Sequence, residues 1–217
     1  ETGYMATMTG AEIEVSNDRY FRTSELLCCL TDTPRTNLNY YYPKISRPYR
    51  YVRFTPPPPA YPTADCRAEI AELAFFDSVD SEEHLPSKAI YGGGPVDENP
   101  AHDIDKACDD DWLTFYYSSG PRDSIVLDLQ RASTIKKVLF VPRNDDNFIT
   151  PGNVYELFYQ SGVKGWISLG VQTATTNELV YRNIPEGALL WLRNLTRGKE
   201  EQVFYVENGE QKFVGYE

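Results

Sequence analysis

The sequence predicts an all-β protein, on three observations. Several short segments alternate apolar and polar residues with a period of two and are rich in β-branched or aromatic residues. Gly, Pro, Asn and Asp lie between these segments, as in a β-sandwich. No long stretch has the pattern of an amphipathic helix, and the 217 residues are 41% hydrophobic, enough for a sizeable core. The predicted strands are YRYVRF (49–54), AELAFF (71–76), DSIVLDL (123–129), KKVLFV (136–141), VYELFY (154–159) and LLWLRNL (189–195).

Along the chain, two stretches resemble each other in order. GAEIEVSND from Gly10 matches GNVYELFYQSG from Gly152, and YRYVRF matches LLWLRNL. AEIAELAFF matches GKEEQVFYV, which pairs Glu72 with Glu201. The spacings indicate a weak internal repeat of about 140 residues, the kind of pattern that bears on the fold.

The repeat predicts two domains. Residues 83–217 form one complete unit, whereas residues 1–82 match only the C-terminal half of another. Half a sandwich leaves an apolar face and strand edges uncovered. We therefore expect residues 1–82 to be completed by a missing upstream segment, by another chain or by an unusual packing on the second unit.

The charge excludes two classes of partner. A formal net charge of -11 repels phosphate backbones and anionic bilayers, and no cluster of Lys and Arg reverses that field locally. No apolar run approaches the roughly 20 residues that span a bilayer. We expect neither nucleic-acid binding nor membrane insertion.

The chain has four cysteines, and none belongs to a Cys-X-X-Cys pair with metal-like spacing. Two alternatives remain open. All four are buried thiols, or Cys66 forms a disulfide with Cys28 or Cys29.

A longer pattern identifies a resemblance. It reads KAIYGGG, DKACDDDWLTFYYS, DSIVLDLQRASTIKKVLFVPRNDDNFITPGNVYELFY, WISLG and ALLWLRNLTRGKEEQVF. This pattern resembles discoidin-like domains, the factor V/VIII type C or family 32 carbohydrate-binding group. It is most similar to copies at the C-terminus of secreted multidomain proteins of gut Bacteroidetes. The resemblance covers residues 83–217 and extends to the tail of a preceding copy.

The resemblance implies a galactose-binding-like jelly-roll β-sandwich, one complete copy preceded by a partial copy. It also implies an extracytoplasmic location, whether secreted, periplasmic or on the cell surface. One departure from the family pattern is the turn at Cys108–Asp111, which reads CDDD where the family has FDGD. Asp110 replaces the glycine, and Asp is among the least costly non-glycine residues in a left-handed conformation, so the turn should survive.

The same acidic turn is a candidate calcium site. Carboxylate and hydroxyl oxygens in DIDKACDDDWLT suit calcium, and the resemblance implies Asp109, Asp111 and Thr114 as ligands, with Glu201 added from the terminal strand. A structural calcium ion is therefore expected. The alternative is an Asp-rich turn with solvated carboxylates.

The loop PRNDDN (142–147) is the candidate ligand site, since related modules bind ligand at that end of the sandwich. Planar polar side chains make paired hydrogen bonds to adjacent sugar hydroxyls, and aromatic rings provide a stacking face. In the alternative, Arg143 pairs with Asp145 or Asp146 to pin the loop, and Trp166 belongs to the core. The predicted polar contacts are Arg143, Asn144, Asp145 and Asn147, and the predicted stacking residues are Trp112, Tyr116, Tyr117 and Trp166.

Catalytic motifs are missing from the sequence. The chain has only two histidines, His84 and His102, and neither a Gly-X-Ser-X-Gly nor a His-Glu-X-X-His motif. We therefore expect a non-catalytic carbohydrate-binding module of a larger secreted or cell-surface protein, with a glycan or glycoconjugate as partner. The alternative is a protein–protein docking or spacer module that supports a catalytic domain.

Overall fold

The computed structural model describes residues 7–34, 38–58, 66–95, 99–144, 148–200 and 203–214. In these ranges the protein is mostly β, with three antiparallel sheets, and all six strand segments predicted from the sequence are confirmed. The helices are short 3-10 turns at Pro100–His102, Ile104–Ala107 and Gly162–Lys164. The strands are β1 (Glu12–Ser16), β2 (Glu25–Cys29), β3 (Asn39–Tyr41), β4 (Tyr49–Thr55), β5 (Glu69–Phe76), β6 (Lys88–Tyr91), β7 (Tyr116–Tyr117), β8 (Ile125–Ser133), β9 (Lys137–Pro142), β10 (Val154–Gln160), β11 (Trp166–Thr173), β12 (Leu190–Asn194), β13 (Lys199–Glu200), β14 (Phe204–Glu207) and β15 (Glu210–Phe213).

The chain divides into two compact units, unit 1 at Glu1–Asp146 and unit 2 at Asn147–Glu217. Unit 1 contains a five-stranded sheet in the order β2-β1-β4-β8-β6 and a four-stranded sheet in the order β3-β9-β5-β7. One hydrophobic core serves both sheets. Phe54 of β4 stacks on Phe140 of β9 with ring centroids 5.6 Å apart, which joins the sheets through that core. Alternation along β4 places Val52 and Phe54 inside and Arg53 outside.

Strand β5 is buried along its whole length, because both of its faces are covered. One face contributes Leu73 and Phe75 to the core between the sheets. The other face packs in a second apolar cluster with neighbours from β9, against which Trp112 and Phe115 lie. Two carboxylates of the same strand, Glu69 and Glu72, are also buried, and this unusual burial bears on the predicted site.

Unit 2 is built on one sheet in the order β11-β10-β12-β14-β15, with β13 paired to β12. Alternation along β10 and β12 divides its side chains between two faces. One face carries the buried Tyr155, Leu157 and Leu190. The other carries Phe158 and Trp191, which lie directly opposite each other across the strand pair.

The division of the structure differs from the domain boundary predicted at residues 82 and 83. Strands from both sides of that boundary pair within unit 1: β4 with β8, and β3 and β5 with β9. The strands that complete residues 1–82 therefore come from residues 88–142 of this same chain. The pairing is non-local, and the sequence repeat carries no information about it.

The repeat itself has a structural counterpart in two of its three matched segments. β1 lies between β2 and β4, and β10 lies between β11 and β12. The third match fails, because β5 belongs to a different sheet from β4 whereas β14 pairs with β12.

All four cysteines are free thiols, so of the two alternatives the structure has thiols and not a disulfide of Cys66 with Cys28 or Cys29. Cys66 is buried and the other three are half-buried. Within the described ranges, none of the helices has the length and apolarity to cross a bilayer.

Candidate functional site

Arg143 begins the predicted ligand loop directly after β9. Its backbone N–H donates to the Glu69 carbonyl at 3.1 Å, and its Nη1 lies 3.6 Å from Glu69 Oε2. The guanidinium lies over the rings of Phe115 and Tyr117, at 4.6 and 5.4 Å from their centroids. These contacts attach the loop to β5 and to the segment before β7. The acidic partner is Glu69, whereas the predicted partners Asp145 and Asp146 lie outside the described residues.

Asn144 is buried and joins two loops. Its Nδ2 donates to the Trp112 carbonyl at 3.1 Å and to the Pro142 carbonyl at 3.4 Å. Because an unpaired buried amide is costly, these bonds hold the Trp112 segment against the end of β9. Asn144 is only 2% exposed, so the structure shows its loop-joining role, and its ligand contact stays a prediction.

The two adjacent tyrosines face opposite ways along β7. Tyr116 has no exposed surface, and its hydroxyl donates to the Gly93 carbonyl at 3.1 Å. Burial raises the pKa of Tyr116. Tyr117 is half-buried beneath Arg143, and Arg67 lies 5.9 Å from its ring centroid. Tyr116 therefore lies in the core, and its role as a stacking residue stays a prediction.

Besides the buried Asn144 and Tyr116, the predicted ligand residues divide into three groups. Arg143, Trp112 and Tyr117 lie around the second apolar cluster of unit 1 with part of their surface accessible. Asp145 and Asn147 lie outside the described residues. Trp166 belongs to unit 2.

The acidic turn brings together three of the four predicted calcium ligands. Thr114 Oγ1 donates to the Asp109 carboxylate at 3.0 Å and to the Asp111 carbonyl at 3.0 Å. Lys106 Nζ donates to Asp109 Oδ2 at 3.1 Å, and this bond raises the pKa of Lys106. A cation therefore already neutralises Asp109. Glu201 lies outside the described residues, and within the described part of the chain no group of three or more His, Cys, Asp or Glu is placed to hold a metal ion.

Asp110 adopts the left-handed conformation that the sequence predicts, with φ of 62°. Its N–H donates to Glu72 Oε2 at 3.0 Å, and its carboxylate lies 2.8 Å from His84 Nε2. His84 Nδ1 lies 2.9 Å from the Leu85 carbonyl, which can only accept, so Nδ1 carries a proton. Glu72 is 2% exposed, and burial raises its pKa to about 8. The turn is therefore anchored on a carboxyl group that favours its neutral form.

Unit 2 carries an aromatic surface that the sequence revealed only in part. Cross-strand register places Phe158 opposite Trp191, and Gln160 opposite Trp166. The ring centroids of Trp166 and Trp191 are 5.6 Å apart, as are those of Phe158 and Trp191. We call Phe158, Trp166 and Trp191 the tryptophan platform. Trp166 is 36% exposed, and the other two rings are half-buried.

Polar side chains flank the tryptophan platform on the same face. Glu156 and Arg193 lie opposite each other on β10 and β12, and the Arg193 guanidinium is 5.3 Å from the Trp191 ring centroid. Ser168 Oγ donates to Glu156 Oε1 at 2.7 Å. Of the three platform residues, only Trp166 was predicted from the sequence as a stacking residue. The alternation that puts Phe158, Trp191 and Arg193 on one face was present in the predicted strands, but their pairing register was not.

No family model, curated protein or solved structure matches the chain.

Proposed function

We propose that this protein is a non-catalytic carbohydrate-binding module, and that the tryptophan platform is its binding surface. The observation that carries the proposal is the juxtaposition of Trp166 and Trp191 on one face of the sheet, 5.6 Å apart. Neighbouring indole rings offer a broad apolar surface for the C–H face of a pyranose, while their N–H groups hydrogen-bond. Sheet strands also hold such a surface more rigidly than loops do.

The flanking residues supply the polar part of sugar recognition. A pyranose presents adjacent hydroxyls that both donate and accept, so a site needs donors and acceptors beside the apolar surface. Arg193 provides donors and Glu156 provides acceptors at one side of the platform. The Ser168 hydroxyl orients the Glu156 carboxylate at 2.7 Å.

The non-catalytic assignment is supported by the way both histidines are used. His84 is bonded to the Leu85 carbonyl and contacts Asp110, and His102 stacks on Phe115 with centroids 4.4 Å apart. Neither therefore stands free beside a nucleophile as a general base would. The proposal includes membership of the discoidin-like group, an extracytoplasmic location and a larger parent protein. It retains a structural calcium ion, with Asp109, Asp111, Thr114 and Glu201 as its predicted ligands.

The test is a glycan-array screen of the intact chain, with and without calcium, followed by variants on any hit. Trp166→Ala and Trp191→Ala should each reduce binding at least tenfold, because each removes half of the stacking surface. Tyr42→Ala is the matched control, since Tyr42 is an exposed aromatic residue of unit 1. A melting temperature raised by calcium would support the metal site.

Arg143→Ala separates the two interpretations of the predicted loop. Lower stability with unchanged glycan affinity is the expected result, because the Arg143 side chain forms an ion pair with Glu69 and packs over the Phe115 ring. Lost binding in a stably folded variant would instead return the ligand site to that loop. A blank array in both calcium conditions would refute the carbohydrate proposal and favour the docking alternative.

A further inference from the structure

A cleft of about 590 Å³ lies in unit 1, and the sequence did not point to it. It opens on the outer side of the five-stranded sheet, where Arg53 faces away from the core residues of β4. Residues from the β1–β2 loop, from β6 and from the loop before β8 complete the lining. The lining residues that matter here are Arg19, Tyr20, Arg53, Tyr91, Arg122 and Asp123, and we call this site the arginine cleft.

The charge of the arginine cleft is opposite to that of the whole chain. Three guanidinium groups line it in a protein of net charge -11. Arg53 is paired with Glu14, with Nη2 2.6 Å from Oε2. For Arg19 and Arg122, no carboxylate of the described residues lies within ion-pair distance. Two arginines without an ion pair among the described residues therefore line the same cavity, although the Asp128 carboxylate interacts electrostatically with Arg19.

The acidic lining residue, Asp123, keeps its negative charge but forms no ion pair with Arg19 or Arg122 among the described residues, because its carboxylate is hydrogen-bonded within its own loop. Asp123 Oδ2 accepts from the Gly120 N–H at 2.7 Å and from Ser119 Oγ at 3.3 Å. The same oxygen would lie 2.2 Å from a Cβ at Gly93, so it is packed against backbone. Asp123 thus closes its own loop and shapes the wall that carries Arg122.

The loop that carries Arg19 and Tyr20 is held in place before any ligand arrives. The Asp18 carboxylate accepts from the Tyr20 N–H at 3.1 Å and from Arg22 Nε at 2.8 Å. These bonds lower the pKa of Asp18, with the backbone bond from Tyr20 contributing most. A preordered loop loses little conformational entropy on binding.

Two lining residues have strained backbones. Phe21 and Arg122 adopt φ of 52° and 60°, a left-handed conformation that aromatic and long side chains rarely take. Each lies in a different loop, yet both line the arginine cleft. Strained residues of this kind cluster at ligand sites, where the surrounding structure holds them.

We propose that the arginine cleft binds an acidic saccharide, one that bears a carboxylate or a sulfate. The anionic group contacts Arg19 and Arg122, whose planar guanidinium groups match such oxygens. Tyr91 is 68% exposed and provides a ring for the sugar, whereas the Tyr20 ring packs against the Arg19 guanidinium at 5.5 Å and helps to position it. The saccharide part rests on the proposed function, whereas the anionic part rests on the two arginines that form no ion pair among the described residues.

The test is calorimetric titration of the intact chain with a galacturonic acid trisaccharide, its methyl ester and a chondroitin sulfate tetrasaccharide. We expect at least one acidic probe to bind, and the double substitution Arg19→Gln with Arg122→Gln to weaken it about tenfold or more. Added salt should weaken it as well. Arg131→Gln, an exposed arginine of β8 outside the cleft, is the matched control.

Three results would overturn the inference. They are no binding of either acidic probe, equal binding of the trisaccharide and its ester, and wild-type affinity in the double variant. Arg19→Gln alone provides a second variant if Arg122→Gln disturbs folding, since Arg19 is exposed on a loop. Trp191→Ala separates this inference from the proposed function. Acidic-probe binding that depends on the arginines but not on Trp191 supports the cleft even where the tryptophan platform fails.

Discussion

The strand set β2-β1-β4 of unit 1 and the set β11-β10-β12 of unit 2 are built alike. Gly10 and Gly152 precede β1 and β10 with φ of 91° and 88°. The Gly10 N–H donates to the Leu30 carbonyl at 2.7 Å, and the Gly152 N–H donates to the Ala174 carbonyl at 2.8 Å. The two glycines therefore close equivalent strand pairs with the same bond, about 140 residues apart.

A polar trio recurs on the outer face of each set. In unit 1, Glu14 lies opposite Arg53 and accepts from Ser24 Oγ at 2.7 Å. In unit 2, Glu156 lies opposite Arg193 and accepts from Ser168 Oγ at the same distance. The repeat thus preserves side-chain contacts as well as strand order.

The two sets differ in what surrounds this shared scaffold. In unit 1 a second sheet packs on the inner face, and arginines from neighbouring loops surround the trio on the outer face. In unit 2 the described strands form one sheet, and tryptophans lie beside the trio. The repeated strands therefore give both units the same strand arrangement, whereas the flanking residues make one outer face rich in arginine and the other rich in tryptophan.

The largest expected effect is a loss of stability when the inner face of the unit 1 strand set is altered. Phe54→Ala removes a ring that stacks on Phe140 between two sheets and should lower the free energy of unfolding by about 3–5 kcal/mol. Leu192→Ala, in the matching strand β12, should cost less than about 2 kcal/mol because Leu192 is only half-buried. Urea unfolding followed by circular dichroism measures both. Equal losses would contradict the difference in packing between the units.

Local features of the fold could be predicted from the sequence, and non-local ones could not. Alternation identified β4, β5, β8, β9, β10 and β12, because side-chain period is a property of each segment alone. The left-handed Asp110 was also predictable from local turn chemistry. The pairing of β4 with β8 depends on tertiary packing across more than 70 residues, which the side-chain alternation of single segments does not reveal.

For the predicted ligand site, too, the sequence indicated local features but not contacts between distant segments. Arg143 stood out in the sequence as an arginine in a polar loop, but its contact with Glu69 on the distant strand β5 could not be predicted from the loop alone. Trp191 was visible in a predicted strand, yet only the register with β10 shows that it lies next to Phe158. Residues from separate loops line the arginine cleft, so no single stretch of the sequence indicates it.

The second prediction concerns Glu72, the residue whose repeat match fails. Its pKa is raised to about 8 by burial, so the folded state favours the protonated carboxyl. The stability that the protonated Glu72 carboxyl gives the fold is fully present below the pKa that Glu72 has in the unfolded chain. It is lost as the pH rises from there through 8. Glu72→Gln remains neutral and should gain stability over wild type by on the order of 3 kcal/mol between pH 5 and pH 9.

Thermal and urea unfolding across that pH range test this prediction. Glu82→Gln, which removes an exposed carboxylate nearby, is the control and should show no such pH dependence. A stability difference between Glu72→Gln and wild type that stays constant with pH would show that Glu72 ionises in the folded protein without cost.

The smallest expected effect is the loss of stability on substituting the two equivalent glycines, Gly10 and Gly152. Gly10→Ala and Gly152→Ala each place a Cβ on a backbone with φ near 90°, where L side chains are strained, so each should destabilise the protein by about 1–2 kcal/mol. Gly94→Ala is the control, because Gly94 has no positive φ and open space for a Cβ, and it should be neutral or slightly stabilising. Matched losses at Gly10 and Gly152 would establish that the two sets share a strained turn as well as a strand order. A loss confined to Gly10, whose added Cβ would lie 3.4 Å from Pro57, would instead assign the cost to local packing in unit 1.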